Sequence, residues 1–592
     1  MTGFFIGQNE PTLNLPKPLK LLSADLMHNR PASVETHVWG RIDNLDDLSS
    51  SLGYKTQKTD LNTLIESAWM RWGERLTEHL IGDFALSVEI PSEQKTFLAR
   101  DPLGVKPLYY TIQHGKFHHA FSVADLRNKS ELTLTPDPDW MARYVLHLSV
   151  SNTLTGYREV FKLPPGHTLT YTPGKDPVIR SYHQWRDDAP WASSRNPQWV
   201  ERYRSVLEEA IRCRMDFDAP MGTENSGGID SATITAYLAH FLGDPGDRLH
   251  SFGFATCEQE PAMILATSQA RRIVHNYLIT THHAEEDWDR RVDRVLDVLG
   301  YPEEHGNGSS HIPFYKECQL KGIRTLFSGF GGDEVVTNPG HHLRKEMLDR
   351  HQYGGLYDIL SGNLMTRSLR FGKTTLLGRR QATYNPNFLT AWNARWPHQL
   401  LQPEVIDRLG LYEEYMETAR YDAPYRNIND FILQGLLKMP YIATRLENCT
   451  LMAASYGIDY RWPLWDIRLV QQYLSTPSIE KVGPKGVGRY LHRRAIDHVV
   501  PRQVAWKPSK DMGYGAAIQE RQARNLPLMA TRAEALEADL HSDLAEMVDR
   551  AKLRKQIAVA KTGQADAAFA FSFMRGVGHI HQLDRWLKSH KI

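Results

Sequence analysis

Residues 226–231 read Ser-Gly-Gly-Ile-Asp-Ser, and the composition of this loop suits the binding of a polyphosphate. Its two glycines let the backbone approach an anion closely, and its two serines add hydroxyl donors. Asp230 offers a hard oxygen ligand for the Mg²⁺ that accompanies a triphosphate. Residues 232–242 have helical spacing, and the N–H groups at a helix start bind phosphate oxygens. The pattern predicts a pyrophosphate-binding loop, although Gly-Gly and Asp-Ser are also ordinary turn residues.

The spacing of this loop differs from those of other nucleotide-binding loops. It lacks the Gly-x-x-x-x-Gly-Lys-Ser/Thr pattern of γ-phosphate chemistry and the Gly-x-Gly-x-x-Gly pattern of dinucleotide folds. The motif therefore favours ATP that is cleaved between its α- and β-phosphates.

A second loop of the same kind lies further along the chain. Residues 328–334 read Ser-Gly-Phe-Gly-Gly-Asp-Glu and directly follow an apolar run typical of a buried strand. Asp333 thereby offers a second carboxylate to the same Mg²⁺. Two such loops are more specific than either alone, because both must converge at one sheet edge.

Alternating strands and helices are expected to position these loops. The sequence predicts a helix at 198–215, a strand ending near Asn225, and further strands at 250–254, 277–280 and 324–327, with a helix at 261–273. This order indicates a doubly wound parallel sheet, whose ligands bind at the carboxyl ends of the strands. Residues 1–185 are instead rich in short β runs, and the polar, proline-bearing stretch 186–197 is a plausible linker. The fold class is α/β with two domains, and the region beyond about 340 is largely helical.

Composition excludes several classes of protein. The 592 residues include 70 basic and 69 acidic side chains, so no overall field attracts nucleic acid or an anionic membrane. No apolar run approaches the roughly 20 residues that a membrane-spanning helix needs, and the start of the chain lacks the pattern of a signal peptide. We expect a cytoplasmic protein without nucleic-acid or membrane partners.

Taken together, these motifs resemble the asparagine-synthetase-like superfamily of ATP pyrophosphatases. Its two signature loops match 226–231 and 328–334, and its Arg-x-Pro-Phe-Leu-Asp motif is similar to residues 461–466, which follow the matching Ala-Ala-Ser at 453–455. Its lysine-rich loop is similar to residues 507–513, and its glutaminase half is similar to residues 98–110 and 161–167. The resemblance implies a degenerate glutaminase-like αββα sandwich at 1–190 and an adenylating ATP-pyrophosphatase domain at 198–592.

The family's chemistry implies roles for individual residues. A carboxylate attacks the α-phosphorus of ATP, an acyl-adenylate forms, and pyrophosphate leaves. Asp230 and Asp333 would hold Mg²⁺, and Lys510, with Lys507 as the alternative, would neutralise charge on the phosphates. The residues expected to bind ATP are Glu224, Ser226, Gly227, Gly228, Ile229, Asp230, Ser231, Phe252, Ser328 and Gly329.

Two positions depart from the family's pattern, and a third keeps it. The chain begins Met1-Thr2-Gly3 where glutaminases of the family expose a cysteine, so we expect the N-terminal domain to be a retained scaffold. Phe330 stands where asparagine synthetases have a substrate-binding Glu and β-lactam synthetases have a catalytic Tyr. Glu447 matches the spacing of the Glu that pairs with that Tyr, and it is either a base for an attacking amine or a structural ion-pair partner of Arg445 or Arg461.

These departures favour an amine that belongs to the substrate itself. The combination most resembles lasso peptide cyclases, which adenylate an Asp or Glu side chain of a precursor peptide and join it to the peptide's α-amine. The resemblance implies a peptide substrate beside Phe330 and Glu447, with a leader-peptide protease and a leader-binding protein as partners. Four aromatic residues of the helical region would line the chamber, or simply form core: Trp392, Trp396, Tyr412 and Tyr415. The alternatives are an ammonia-dependent asparagine synthetase, a β-lactam-synthetase-like ligase and a non-catalytic nucleotide-binding scaffold.

Overall fold

The computed structural model describes residues 34–54, 60–255, 260–279, 288–340, 342–377, 386–418, 425–507 and 514–590. The strands of this part of the chain are β1 (Glu35–Ile42), β2 (Gly82–Ile90), β3 (Lys95–Arg100), β4 (Tyr109–Gln113), β5 (Lys116–Ala120), β6 (Phe161–Lys162), β7 (His167–Tyr171), β8 (Val178–Ser181), β9 (Met221–Glu224), β10 (Leu249–Phe254), β11 (His275–Ile279), β12 (Thr325–Phe327) and β13 (Asp459–Arg461).

The α-helices are α1 (Leu45–Leu52), α2 (Leu61–Trp72), α3 (Val123–Arg127), α4 (Pro138–Val145), α5 (Gln198–Arg212), α6 (Ile229–Leu242), α7 (Glu260–Ala270), α8 (Trp288–Leu299), α9 (Asn307–Ser310), α10 (Ile312–Leu320), α11 (Leu343–Asp349), α12 (Tyr353–Ile359), α13 (Leu364–Leu377), α14 (Pro386–Arg395), α15 (Pro403–Leu409), α16 (Leu411–Thr418), α17 (Ile428–Asp430), α18 (Pro440–Ala454), α19 (Ile467–Leu474), α20 (Ser478–Lys481), α21 (Tyr490–Ile496), α22 (Arg502–Ala505), α23 (Tyr514–Ala538), α24 (Ser542–Met547), α25 (Arg550–Lys561) and α26 (Ala567–Ser589). Short 3₁₀ or π turns lie at Gly73–His79, Pro91–Glu93, Gly246–Arg248, Gly332–Val336, Trp396–His398, Phe431–Leu436, Pro463–Trp465 and Pro484–Gly486.

Two antiparallel sheets form the N-terminal domain, with strand orders β1-β2-β3-β7-β8 and β5-β4-β6. Side chains alternate along β2, so Phe84, Leu86 and Val88 pack toward α1 and α2, whereas Ala85 lies in the core between the sheets. The outer side of the second sheet packs on α3 and α4 through Tyr109. Helices thus cover both outer faces, which confirms the predicted αββα sandwich.

The C-terminal domain is built on a parallel sheet with strand order β11-β10-β9-β12-β13. This confirms the doubly wound α/β prediction. Strand β9 lies at the centre and pairs with both β10 and β12, so the loops that follow β9 and β12 leave the same sheet edge side by side. Strand β13 was not predicted, because its three residues are too few to show a period.

The predicted helix boundaries differ from the observed ones near the first loop. Helix α5 ends at Arg212 rather than 215, and α6 begins at Ile229 rather than 232. The earlier start arises because Gly228 is itself the N-terminal cap, in an extended conformation with φ of −77°. Asp230 and Ser231, the last two residues of the first loop motif, therefore also form part of the first turn of α6.

Buried ion pairs hold the two domains together. Arg214, which follows α5, pairs with Asp43 of the N-terminal domain at 2.9 Å and with Asp466 at 2.5 Å. Asp43 and Asp466 also form, with Cys213, a group whose atoms lie close enough to hold a metal ion. Because Arg214 pairs with both carboxylates, and Arg41 and Arg468 each pair with one of them, this cluster is explained as an interdomain contact.

The helices after about 340 pack in two places. Helices α11 and α12 join the core of the parallel sheet, whereas α23, α25 and α26 share a second core with α4 of the N-terminal domain. None of the helices in the described ranges is long and apolar enough to cross a membrane.

Candidate active site

The first loop is held open for an anion by hydrogen bonds within the loop itself. The Ser226 N–H donates to Ser231 Oγ at 3.1 Å, and the Gly227 N–H donates to Asn225 Oδ1 at 3.1 Å. The first N–H groups of any α-helix have no acceptor within the helix, and at the start of α6 no side chain accepts from them as a cap. This arrangement presents N–H donors and a helix dipole to a phosphate group.

A glycine is required at position 227 for two reasons. Its φ of +68° lies in the left-handed region, and a Cβ atom there would lie 2.5 Å from Met263 Cβ. The loop therefore passes close against α7, which places its next peptide groups at the sheet edge.

The second loop packs directly on the first through two further glycines. A Cβ on Gly329 would lie 2.5 Å from the Ser231 nitrogen, and one on Gly332 would lie 2.4 Å from the carboxyl carbon of Asp230. Only glycine leaves room for this approach, which confirms that the two loops converge at one sheet edge.

Replacing Gly329 by alanine is expected to force the two loops apart, because the added methyl group meets backbone atoms that have little freedom to move. We expect a loss of about 1–3 kcal/mol in the free energy of unfolding, as for other overpacked sites. Binding of ATP should weaken as well, which titration calorimetry can measure. Gly372→Ala, in helix α13 with no atom within 4 Å of its added methyl group, is the matched control. Equal stability of the two variants would contradict the close contact between the loops.

The two predicted metal ligands face one another across Arg489. The Arg489 guanidinium donates to Asp230 Oδ2 at 3.0 Å and also donates to Asp333 Oδ1. The Thr337 hydroxyl donates to Asp230 Oδ1 at 2.7 Å and orients that carboxylate. The structure thus brings Asp230 and Asp333 together, although they are 103 residues apart, which follows from their numbers (333 − 230).

These carboxylates fit a divalent cation. One guanidinium contacts both of them, so a single positive centre can interact with oxygens from both loops. Hard carboxylate oxygens are the ligands that Mg²⁺ prefers. Arg489 itself was not predicted, because no motif surrounds it. Its φ of +59° is uncommon for a residue with a side chain, and such strain is often found at functional sites.

Of the two lysines expected near the phosphates, Lys507 lies in the described part of the chain and Lys510 does not. Lys507 Nζ lies 3.5 Å from the Gly227 carbonyl oxygen, so this lysine reaches the first loop. Lys510, the first choice for the phosphate-binding lysine, lies outside the described residues. Its role therefore stays a prediction.

Glu224 ties together the ends of three neighbouring strands. Its carboxylate accepts a hydrogen bond from Ser328 Oγ at 2.6 Å and another from the Tyr460 hydroxyl. His311 Nε2 lies 3.2 Å from the same carboxylate. The side chain of Glu224 thus fixes the sheet edge, and the predicted contact of its backbone with adenine stays a prediction.

The side chain of Phe252, like that of Glu224, has a structural role. Its side chain is buried and stacks on Tyr277 with 5.1 Å between ring centroids, so the ring belongs to the core. Its carbonyl oxygen accepts the Asn225 N–H at 2.7 Å, which secures the start of the first loop. A contact between the backbone at 252 and a nucleotide stays a prediction.

Phe330 lies on the second loop at the edge of the core, with 9% of its surface exposed, and we call its apolar surface the Phe330 wall. Its ring packs near Trp462 and Trp465, with centroid distances of 5.9 and 5.7 Å. The Arg445 guanidinium also lies over this ring, 3.7 Å from the centroid. The wall is therefore apolar with one positive charge beside it, an arrangement that suits a carboxylate-bearing substrate.

Glu334, also on the second loop, is an acidic group near this wall. The Tyr441 hydroxyl donates to Glu334 Oε1 at 3.0 Å. Burial raises the pKa of Glu334, and the nearby Arg445 partly offsets that effect. The side chain nevertheless stays partly exposed. A carboxyl group with a raised pKa and an open face can exchange protons with a substrate.

Glu447 is not placed as expected. It lies on α18 two residues after Arg445, so the helical turn of about 100° per residue puts these side chains on nearly opposite faces. Its carboxylate pairs with Arg100 at 2.6 Å and Lys162 at 3.0 Å, both from the N-terminal domain, and all three side chains are at most 1% exposed. The ion pair exists, but with partners other than Arg445 or Arg461. Glu447 is therefore directed away from the Phe330 wall, and its predicted role as a base has no support in this geometry.

Lys162 shows how strongly this buried cluster is coupled. Burial alone would lower the pKa of Lys162, but the carboxylates of Glu304 and Glu447 outweigh that effect and raise it. Lys162 Nζ donates to Glu304 Oε2 at 2.6 Å. The cluster joins the two domains through charges that have no contact with solvent.

The fold and the two facing loops define an ATP-dependent amide-forming ligase, and comparison with known proteins agrees. A model of the asparagine synthase family matches residues 202–588, and a model of a glutamine amidotransferase domain matches residues 26–183. The chain belongs to the asparagine synthase family. Enzymes of this family use ATP, typically with Mg²⁺.

Several curated proteins resemble the chain at low identity. It is 22% identical over 573 residues to asparagine synthetase 3 (glutamine-hydrolyzing) of Bacillus subtilis (strain 168), which covers 93% of this chain and 87% of that protein. It is 26% identical over 322 residues to putative asparagine synthetase 2 (glutamine-hydrolyzing) of Methanocaldococcus jannaschii, covering 52% of this chain and 60% of that protein. It is 27% identical over 292 residues to the amidase chry2 of Gibberella zeae, covering 46% and 42% respectively.

Proposed function

We propose that this ligase closes a macrolactam ring in a peptide. It would adenylate the side-chain carboxylate of an Asp or Glu residue and join it to the peptide's own α-amine, with release of AMP and pyrophosphate. The observation that carries the proposal is the wall at Phe330. This side chain can neither accept a hydrogen bond from a free amino-acid substrate nor exchange a proton, and it favours an apolar peptide segment beside the reacting carboxylate.

Each step of the reaction has a residue that suits it. The substrate carboxylate attacks the α-phosphorus, and the Arg445 guanidinium beside Phe330 is positioned to hold that carboxylate. The bond from the α-phosphorus to the bridging oxygen breaks, and pyrophosphate leaves. The α-amine then attacks the acyl carbon, AMP departs, and the amine proton passes to a base. Glu334 is the best-placed acceptor for that proton among the described side chains, in place of Glu447.

ATP and Mg²⁺ would be held where the two loops meet. The first-turn N–H groups of α6 suit the phosphates, Asp230 and Asp333 suit the metal, and Lys507 reaches the first loop. The metal would neutralise charge that develops on the leaving pyrophosphate. Arg489 contacts both aspartates. When the cation binds, Arg489 would release one aspartate and donate to a phosphate oxygen instead.

The proposal includes partners. We expect a leader-peptide protease and a leader-binding protein to deliver the peptide in the cytoplasm, as the resemblance to lasso peptide cyclases implies. Loading a long peptide into an enclosed site also makes proximity the main contribution to ring closure once the adenylate has formed.

The test combines the purified full chain with Mg²⁺-ATP and the leader-free form of a precursor peptide encoded beside this chain. We expect AMP and pyrophosphate to be released and the peptide to lose the mass of one water. The same peptide with an acetylated α-amine is the control, and it should not lose water. Release of ADP and phosphate would contradict adenylation. Formation of asparagine from aspartate and ammonia, with no change in the peptide, would favour an ammonia-dependent asparagine synthetase.

A further inference from the structure

A second cavity lies away from the phosphate loops, between α14, α26 and the end of α4. Its cavity volume is about 60 Å³, and it opens to solvent. Two arginines line it, Arg395 and Arg575, together with His147, and we call it the arginine pocket. None of the described residues that line it is an Asp or Glu.

The two arginines have no acidic partner within the described part of the chain. The pKa of each arginine is set mainly by burial and then by neighbouring arginine or tyrosine side chains, and no carboxylate is among the main causes. Burial, followed by repulsion from Arg395, lowers the pKa of Arg575 to about 10. Two positive charges in a partly enclosed cavity, with no counter-ion among the described side chains, are unfavourable, and a bound anion would relieve that cost.

The guanidinium groups are held in place by rings instead of carboxylates. Arg395 lies 3.9 Å and Arg575 5.3 Å from the centroid of the Phe571 ring. Arg575 Nη2 also donates to His147 Nδ1 at 2.9 Å. Burial and the charge of Arg575 lower the pKa of His147 well below its usual range, so His147 is a neutral acceptor. A guanidinium group has five N–H donors, so one that lies against a ring keeps donors for a ligand.

The remaining walls are aromatic. Trp392 stacks on Tyr415 with 4.7 Å between ring centroids, and Trp396 packs on Tyr415 at 4.9 Å. The indole N–H of Trp392 donates to the Tyr415 carbonyl oxygen at 3.0 Å, which fixes this ring. The sequence analysis grouped these residues with Tyr412, and Tyr412 does pack on Trp396 at 5.0 Å, but it does not line the pocket.

A row of side chains joins the arginine pocket to the Phe330 wall. His147 lies 6.5 Å from His305, and His305 stacks on Tyr441 at 5.5 Å, measured between ring centroids. Tyr441 donates to Glu334 on the second loop. The pocket is therefore separate from the phosphate loops and is connected to Glu334 of the second loop through two intervening side chains, His305 and Tyr441.

We propose that the arginine pocket binds a carboxylate that is carried by a ligand with an aromatic group. The two guanidinium groups pair with the carboxylate, and the tryptophan and tyrosine rings pack against the aromatic group. The ligand is either a small aromatic acid or the C-terminal residue of a peptide. The proposal does not rest on the reaction proposed above, because it requires only binding.

The test measures binding of N-acetyl-L-tryptophan to the full chain by titration calorimetry, without ATP. We expect the acid to bind about tenfold or more tightly than N-acetyl-L-tryptophanamide, because a charge-assisted bond is stronger than a neutral one. Arg395→Gln should weaken binding of the acid by a similar factor and should leave binding of the amide unchanged. Arg408→Gln, at an exposed surface pair with Asp139, is the control and should bind the acid like the unmodified protein.

Two outcomes would overturn the proposal: equal binding of acid and amide, or an unchanged affinity for the acid in Arg395→Gln. Arg395 is partly exposed, so its replacement should leave the protein folded, and circular dichroism checks this. Arg575→Lys provides a second variant that keeps the charge, and it should bind the acid more weakly because lysine cannot pair with both carboxylate oxygens.

A hexapeptide ending in tryptophan distinguishes a small aromatic acid from the C-terminal residue of a peptide as the ligand. Binding tighter than that of the small acid identifies a peptide C terminus, and exclusion of the peptide identifies a free acid, both in support of the carboxylate site.

Discussion

Replacing Asp230 by asparagine is expected to slow the ATP-dependent release of pyrophosphate by about a thousandfold, the effect of losing a charged group at a transition state. The change keeps the shape of the side chain but removes a carboxylate that faces both Arg489 and the partner loop. Asp333→Asn should have an effect of the same order, because the two carboxylates act on one centre. A coupled assay of pyrophosphate with the peptide substrate measures both rates.

Folding of these variants needs a separate check. Asp230→Asn keeps an acceptor for the Thr337 hydroxyl, so we expect the melting temperature to change little. Asp218→Asn, an exposed acid on the same domain, is the matched control and should retain full activity. Activity of the Asp230 or Asp333 variant close to that of the control would contradict the metal-binding assignment.

Replacing Glu447 by glutamine is expected to destabilise the fold by about 3–5 kcal/mol, as when one partner of a buried ion pair is removed. The change leaves the buried Arg100 guanidinium without its carboxylate and takes one of two carboxylates from Lys162. Because these pairs join the two domains, the loss should appear as a lower midpoint in urea. Equilibrium unfolding followed by fluorescence measures it.

Two further Glu→Gln variants separate stability from chemistry. Glu414→Gln breaks a partly exposed interdomain pair with Arg143, whose atoms lie 3.0 Å apart, and should cost less than about 1 kcal/mol. Glu334→Gln should leave the unfolding midpoint nearly unchanged and reduce amide formation, because it removes the proposed base. If Glu447→Gln unfolds like the unmodified protein yet forms no amide, Glu447 is the base after all and the assignment to Glu334 is wrong.

The sheet that carries the site could be predicted because its signals are local. Strand β9 ends at Glu224 and strand β12 at Phe327, and a Ser-Gly pair follows each within two residues, so the pattern of a few residues indicates both a strand end and an anion-binding loop. The order of strands and helices then implied a parallel sheet. Neighbouring positions of β9 and β12 in that sheet brought the loops together as expected.

Other parts of the site could not be predicted, because they depend on residues far apart in the chain. Arg489 contacts Asp333 from a turn just before α21, and no local pattern distinguishes it from a surface arginine. Glu447 has the spacing of a catalytic residue. Because it follows Arg445 by two positions on α18, however, it lies on the opposite face of the helix and points toward the N-terminal domain. The arginine pocket likewise combines side chains from α14, α26 and the turn after α4.

The sequence by itself determined the class of chemistry, because glycines, serines and aspartates at fixed spacing next to strand ends have few other uses. The tertiary structure alone decided which charged side chains meet a substrate and which hold the domains together. The physical reason is that burial and pairing set the role of a charge, and both are properties of packing between elements. Glu447 and Glu334 show the difference: both are glutamates in recognisable positions, but one is enclosed between two cations and the other keeps an open face on the second loop.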